Sequence, residues 1–143
     1  MNRNLELAKE KLVNEGHKFV LTNGDEYITS SDIGVKPLLE QVRKNRKFKG
    51  YVAADTVVGK AAALLYTLLE VDGVYAKLIS EKALKFFEDN GIYCEYLTKV
   101  PYIKNRTNTG MCPFEEAVTN VKEPHNGLIV IKETVRKLMG DKA

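Results

Sequence analysis

The middle of the chain alternates short, mostly apolar runs with helix-like segments, and this alternation limits the fold more than any other feature. Residues 51–54, 74–79 and 92–97 have the character of buried strands. Between them, residues 58–70 form an Ala- and Leu-rich helical pattern, and residues 80–91 form a helix with a serine cap and a glycine stop. The β-α-β-α-β order implies right-handed crossovers and therefore a largely parallel half-sheet.

A hairpin is predicted ahead of this unit. Two strand-like runs, residues 17–22 and 26–30, flank Asn23 and Gly24, a pair that readily adopts the positive φ of tight hairpin turns. These runs are expected to form an antiparallel pair. A first helix of about twelve residues precedes them, and it is predicted from an apolar stripe, a polar cap and a glycine stop: Leu5, Ala8, Leu12, Asn4 and Gly16.

Prolines mark the predicted helix starts in the rest of the chain. Pro37 opens one helix, and Pro113 opens a short one with acidic residues behind it. Residues 98–110 are polar and without a sustained period, which predicts a long loop of the kind that often carries function. Pro124 opens a last helix; residues 128–131 also fit a strand, and we favour the helix.

Composition narrows the class of protein. The 143 residues, 44% hydrophobic and 29% charged, are expected to form one domain, residues 1–143, with an ordinary core. A net charge of +3 disfavours nucleic acid as a partner. No apolar run approaches the roughly 20 residues of a membrane span and no secretory signal is recognisable, so we expect a cytoplasmic protein without a membrane partner. Two cysteines and two histidines suggest neither a disulfide framework nor a zinc site.

The first candidate site lies in the sequence ADTVVGKAAA, which begins at residue 54. Asp55 is predicted at the carboxyl end of a buried strand, where open α/β sheets bind ligands. The helix start behind it attracts anions, with Thr56, Gly59 and Lys60 as binding residues: Gly59 permits close backbone approach, and Lys60 supplies a charge for phosphate. An equally good interpretation makes Asp55 a helix cap, Gly59 a packing contact and Lys60 a solvated side chain.

The second candidate site is the segment NRTNTGMCPFE, residues 105–115. Asn105 and Arg106 are suited to hold a phosphate or carboxylate, and Cys112, at a helix start, is a candidate nucleophile. Glu115, three residues further on, can share a helical face with Cys112 and act as a base. No histidine is close in sequence, so a protease-like Cys-His pair is not expected, and a structural cysteine is the commoner explanation.

Three stretches of the sequence carry a family resemblance: KPLLEQVRKNRKFKGYVAADTVVGKAAALLYTLL, VYAKLISEKALKFFEDNGI and VPYIKNRTNTGMCPFEEAV. They resemble a small prokaryotic family of unknown function placed in the cytidine-deaminase-like superfamily, and the match spans nearly the whole chain. Its most specific parts are the two candidate-site segments. The resemblance implies a three-layer α/β/α sandwich around a mixed five-stranded sheet.

The motifs of zinc deaminases are absent from the positions where the resemblance would place them. A zinc deaminase carries H-x-E or C-x-E at one helix start and P-C-x-x-C at the next. Here the two starts read DTVVGK, residues 55–60, and SEKA, residues 80–83, without histidine or cysteine. We therefore expect no metal, no cofactor and no hydrolytic deamination by zinc-bound water.

The leading functional hypothesis is a nucleotide or nucleotide-diphosphate ligand, such as ADP-ribose, in the former deaminase pocket. Asp55 would bind the ribose hydroxyls, and Lys60 would lie near the phosphates. The rival hypothesis is a metal-free enzyme that uses Asp55, Lys60, Cys112 and Glu115 in glycosyl or acyl transfer. A third is a structural or regulatory partner protein. Deaminase-like domains often self-associate, so the resemblance also suggests a homo-oligomer without fixing the number of subunits.

Overall fold

The computed structural model describes residues 2–32, 35–105 and 107–139. These residues form one five-stranded sheet with the order β2-β1-β3-β4-β5, together with six helices. In chain order the elements are α1 (Asn2–Glu15), β1 (Phe19–Thr22), β2 (Tyr27–Ser30), α2 (Lys36–Arg43), β3 (Val52–Val58), α3 (Lys60–Leu69), β4 (Gly73–Ser80), α4 (Glu81–Asp89), β5 (Tyr93–Val100), α5 (Pro113–Ala117) and α6 (Pro124–Met139).

The sheet is mixed, and its pairing follows the predicted element order. β3, β4 and β5 are parallel to one another, whereas β1 runs antiparallel to both β2 and β3. The hairpin prediction is confirmed, and Gly24 has the positive φ of +100° that its turn requires. The last segment is the helix α6, which confirms the choice of helix over strand.

Helices cover both faces of the sheet. On one face α1 is the single helix among the described residues, and it buries Leu5, Ala8 and Leu12 against β1, β3 and β4. On the other face α3 lies in the middle of a second layer, in contact with α2, α4, α5 and α6. Nearly every side chain of α3 is buried, and this is why its sequence is Ala- and Leu-rich on all sides. No helix within the described residues is long and apolar enough to cross a membrane.

Several element boundaries differ from the prediction. β5 continues to Val100, in parallel pairing with β4, so the first three residues of the predicted loop 98–110 belong to a strand. β3 continues to Val58, because Val57 and Val58 pair in parallel with β4, so Asp55 lies inside the strand and not at its end. α1 begins at Asn2, so Asn4 lies within the helix and is not its cap. The Asn4 side-chain amide instead donates a hydrogen bond of 3.1 Å to the carbonyl oxygen of Asn23 in the hairpin turn.

Candidate functional site

The starts of α3 and α4 lie side by side at one edge of the sheet. Each helix follows directly from a parallel strand, and Val58, the last residue of β3, pairs with Ile79, the residue before the last of β4. Ser80 caps α4: its Oγ accepts the backbone N–H of Ala83 at 3.1 Å, as the sequence predicts. Both helices therefore direct the positive ends of their dipoles to this edge of the sheet.

The start of α3 is capped by a carboxylate from a distant part of the chain. Gly59, its N-cap residue, has no side chain to do so. Glu115 of α5 supplies the cap: its Oε2 accepts the N–H of Lys60 at 2.5 Å, and its Oε1 accepts the N–H of Ile103 at 3.3 Å. Glu115 is only 1% exposed. A Cβ atom on Gly59 would lie 2.7 Å from Glu115 Oε2, so glycine is what permits this close approach.

Lys60 extends over the same edge of the sheet and is largely buried. Its Nζ donates a hydrogen bond of 3.0 Å to the carbonyl oxygen of Thr119 and lies 5.9 Å from the ring centroid of Phe86. Burial lowers the pKa of Lys60, and the positive charges of Lys82 and Lys122 lower it further. This hydrogen bond thus links the segment after α5 to the start of α3.

Three lysines form what we call the lysine rim: Lys60, Lys82 and Lys122. Lys60 is the first residue of α3, Lys82 is the second residue of α4, and Lys122 follows α5 by a few residues. Lys82 is half-buried and Lys122 is exposed. Glu115 is the acidic side chain whose charge acts on Lys60 in the opposite sense, raising its pKa. The rim therefore brings three lysines to two helix N-termini, where the carboxylates of Glu115 and Glu81 offset part of their charge.

Asp55 belongs to a separate, enclosed pair. Tyr66 Oη, from α3, donates a hydrogen bond of 2.7 Å to Asp55 Oδ2, and both residues are buried. Burial raises the pKa of Asp55 to about 7, against the opposing effect of hydrogen bonds from Tyr66 and from the backbone of Val57 and Thr56. The side chain of Thr56 is likewise bound within the protein and away from the lysine rim: its Oγ1 donates a hydrogen bond of 3.0 Å to the Lys18 carbonyl oxygen.

The loop that carries Asn105 is folded on itself. Asn105 Oδ1 accepts the N–H of Thr109 at 3.0 Å, and its backbone N–H donates to the carbonyl oxygen of Gly110 at 2.8 Å. Lys104 and Met111 form an isolated antiparallel bridge across the loop. Arg106, the other binding residue predicted here, lies outside the described residues.

Cys112 is the half-buried N-cap residue of α5. Its backbone N–H donates to the carbonyl oxygen of Ile103 at 2.7 Å, and its own carbonyl oxygen accepts the N–H of Glu116 at 3.0 Å. These backbone bonds orient α5 so that Glu115 faces α3. No hydrogen bond joins the Cys112 thiol to Glu115 among the residues that the structure describes.

The structure brings three of the predicted site residues into direct contact: Gly59, Lys60 and Glu115. The other described ones, Asp55, Thr56, Asn105 and Cys112, bond to different partners. Within the described ranges, no three His, Cys, Asp or Glu side chains converge to hold a metal ion.

The sequence interpretation missed Tyr66, although a hydroxyl in an otherwise apolar helix signals a buried partner. It also missed Lys82, which the serine cap before α4 places at this edge of the sheet.

These features define an α/β protein with a mixed five-stranded sheet and two adjoining helix starts at one edge of that sheet. The model of a domain of unknown function, DUF1893 (TM1506), matches residues 7–135, and the chain belongs to that family. This confirms the predicted membership of a family of unknown function. The placement in the cytidine-deaminase-like superfamily stays a prediction.

A solved structure supports the same assignment. The crystal structure of a DUF1893 family protein (TM1506) from Thermotoga maritima is similar to this chain, with a TM-score of 0.86 and 28% sequence identity. The similarity covers 93% of this chain and 90% of that one. None of the curated proteins matches the sequence significantly.

Proposed function

We propose that the protein binds an anionic, nucleotide-like ligand at the lysine rim, with a nucleoside diphosphate or ADP-ribose as the ligand class. The observation that carries the proposal is the convergence of Lys60, Lys82 and Lys122 beside the starts of α3 and α4. Helix N-termini and lysine side chains both favour phosphate. The carboxyl edge of parallel strands is also where open α/β sheets receive nucleotides.

The cap on α3 moves the expected phosphate position away from the start of that helix. Glu115 already accepts the N–H of Lys60 there, and a second anion beside its carboxylate would be repelled. The start of α4 has a neutral serine cap, and its first turn carries Lys82 together with the exposed Glu81, whose carboxylate does not cap the helix. We therefore propose that the ligand phosphates lie at the start of α4, between Lys82 and Lys122. Lys60 would act by holding the segment after α5 in place through its hydrogen bond to Thr119.

Calorimetry and thermal unfolding with ADP-ribose, ADP and inorganic phosphate test the proposal. We expect the nucleotides to stabilise the wild type, by about 2.7 kcal/mol at a free concentration one hundred times Kd. Lys82→Ala and Lys122→Ala should each weaken binding, and the double variant should abolish it. Lys49→Ala is the matched control, because Lys49 is 81% exposed and pairs with Glu70 at the opposite end of α3.

Three outcomes distinguish the alternatives. A wild type that none of the three compounds stabilises contradicts the proposal, as does unchanged affinity in the Lys82→Ala, Lys122→Ala double variant. Stabilisation by phosphate alone would restrict the ligand to a simple anion. The metal-free enzyme stays a separate prediction, and mass spectrometry of the recovered ligand tests it, because turnover or covalent attachment changes the mass of the ligand or of the protein.

A further inference from the structure

The outer edge of β5 is the longest free strand edge in the described part of the chain. β5 has eight residues and pairs only with β4 among the described strands, whereas β2 at the opposite edge of the sheet has four. Its side chains are unusually open for a parallel strand, with Leu97 67% exposed and Tyr96 42% exposed. Unpaired strand edges with exposed apolar side chains are templates for another strand.

The sequence of β5 is self-complementary about Leu97. Glu95 lies two residues before Leu97 and Lys99 two residues after it, so all three side chains are on one face of the sheet. Glu95 pairs in register with Tyr75, which packs under α1, so this is the face on which α1 lies. α1 contacts β1, β3 and β4, and it leaves this part of β5 uncovered.

We propose that a second copy of this chain pairs with β5 in antiparallel fashion, about a two-fold axis at Leu97. Leu97 then faces its own copy, Glu95 faces the partner's Lys99, and Lys99 faces the partner's Glu95. Residues 94–100 of each subunit pair along their whole length. The two five-stranded sheets become one continuous sheet through the dimer, with β5 beside β5 at its centre.

Charge favours this register, because it alone sets Glu95 opposite Lys99, and it disfavours several alternatives. An axis at Glu95 or at Lys99 would set two like charges directly opposite each other, and a parallel, in-register pair would do so at both positions. A lysine on an edge strand usually prevents pairing, but here each copy supplies the glutamate that neutralises it. Self-complementary charge on an open strand therefore favours an identical chain over an unrelated partner as the occupant.

Charge reversal tests the pairing, with sedimentation velocity and light scattering as the measurements. Glu95→Lys leaves two pairs of lysines facing each other, and Lys99→Glu leaves two pairs of glutamates. Each single variant should dimerise about tenfold more weakly than the wild type, or not at all. The double variant Glu95→Lys, Lys99→Glu restores both pairs and should dimerise like the wild type. Lys44→Glu, an exposed position on α2's C-cap, is the control.

Mixing the two single variants gives the sharpest result. A chain with two lysines and a chain with two glutamates are complementary, so we expect a one-to-one heterodimer from two weakly associating proteins. Circular dichroism establishes that each variant is folded. A wild type that stays monomeric at its highest soluble concentration overturns the proposal and leaves the edge to another occupant. Equal dimerisation of all variants overturns the β5 register.

Discussion

Glu115 joins α5 to α3, because its side-chain carboxylate accepts a hydrogen bond from the backbone N–H of Lys60. Glu115 Oε2 lies 2.5 Å from the amide nitrogen of Lys60, and the carboxylate is almost wholly buried. An anion at a helix N-terminus interacts favourably with the free N–H groups and with the helix dipole. Because Oε1 also accepts the N–H of Ile103, one side chain stabilises the helix start and the loop above it.

Removing this cap should destabilise the protein. We expect Glu115→Ala to lower the free energy of unfolding by about 2–3 kcal/mol, since it leaves two backbone donors without their acceptor in a buried place. Glu115→Gln should lose less, because its amide oxygen can still accept one bond. Urea unfolding measures the change, with the exposed neighbour Glu116→Ala as control. Equal, near-zero losses for Glu115→Ala and Glu116→Ala would contradict the capping role.

Gly59 should depend energetically on Glu115. A methyl group at position 59 would meet Glu115 Oε2 at 2.7 Å and Ile103 Cγ1 at 3.2 Å, and it would push the carboxylate off the Lys60 amide. We expect Gly59→Ala to cost about 1–3 kcal/mol in the wild type. The cost should shrink markedly in a Glu115→Ala background. A double-mutant cycle by urea unfolding measures the coupling, and additive effects would refute it.

Asp55 should make stability depend on pH in an unusual direction. Its pKa is about 7 in the folded protein, against about 3.9 for an unfolded aspartate. Between these values the folded chain keeps the proton and the unfolded chain releases it. The free energy of unfolding therefore falls as pH rises from about 4 to about 7, by up to about 1.4 kcal/mol per pH unit, and the effect levels off above that window.

Comparison with Asp55→Asn isolates this contribution, because the other titrating groups cancel in the difference. The variant cannot ionise, and its amide oxygen can still accept the Tyr66 hydroxyl. We expect the wild type to lose stability relative to the variant across the window, as measured by urea unfolding at several pH values. A stability difference that does not change with pH would show that Asp55 is not a buried, proton-binding group.

Cys94 should react slowly with alkylating reagents. Burial, followed by the negative charges of Glu95 and Glu88, raises its pKa to about 12, so the thiolate is scarce at neutral pH. In a Cys112→Ser variant, we expect iodoacetamide to modify native Cys94 at least about a hundredfold more slowly than the urea-unfolded chain. Peptide mass spectrometry follows the reaction. Equal rates before and after unfolding would contradict the raised pKa.

Local signals account for the parts of the fold that sequence predicts well. Asn23 and Gly24 specify a hairpin turn within a few residues, and Ser80 specifies the start of α4 through its own side chain. The end of β3 is less clearly marked, because β-branched Val57 and Val58 favour a strand whereas Asp55, just before them, is of a type that is rare in strands. Parallel pairing with β4 decides in favour of the strand, and it thereby carries Asp55 into the core.

The candidate site is less predictable, because its contacts join distant segments. The spacing of Cys112 and Glu115 indicates a shared helical face. No local sequence pattern, however, predicts that the Glu115 carboxylate binds the backbone N–H of Lys60. Gly59 was expected to admit a ligand close to the backbone, and the group that approaches it is Glu115. The lysine rim likewise assembles from three separate elements, and their meeting depends on the sheet order.

The same cap bears on how the chain folds. Glu115 lies 55 residues beyond the amide it binds, and contacts of such long sequence separation incur a large loop-closure entropy and form slowly. During synthesis α3 emerges well before α5. The backbone N–H of Lys60 at the start of this central helix therefore has no carboxylate cap at first. The cap forms only when the last third of the chain has packed against α3. Docking of α5 is therefore expected to be a late step in folding.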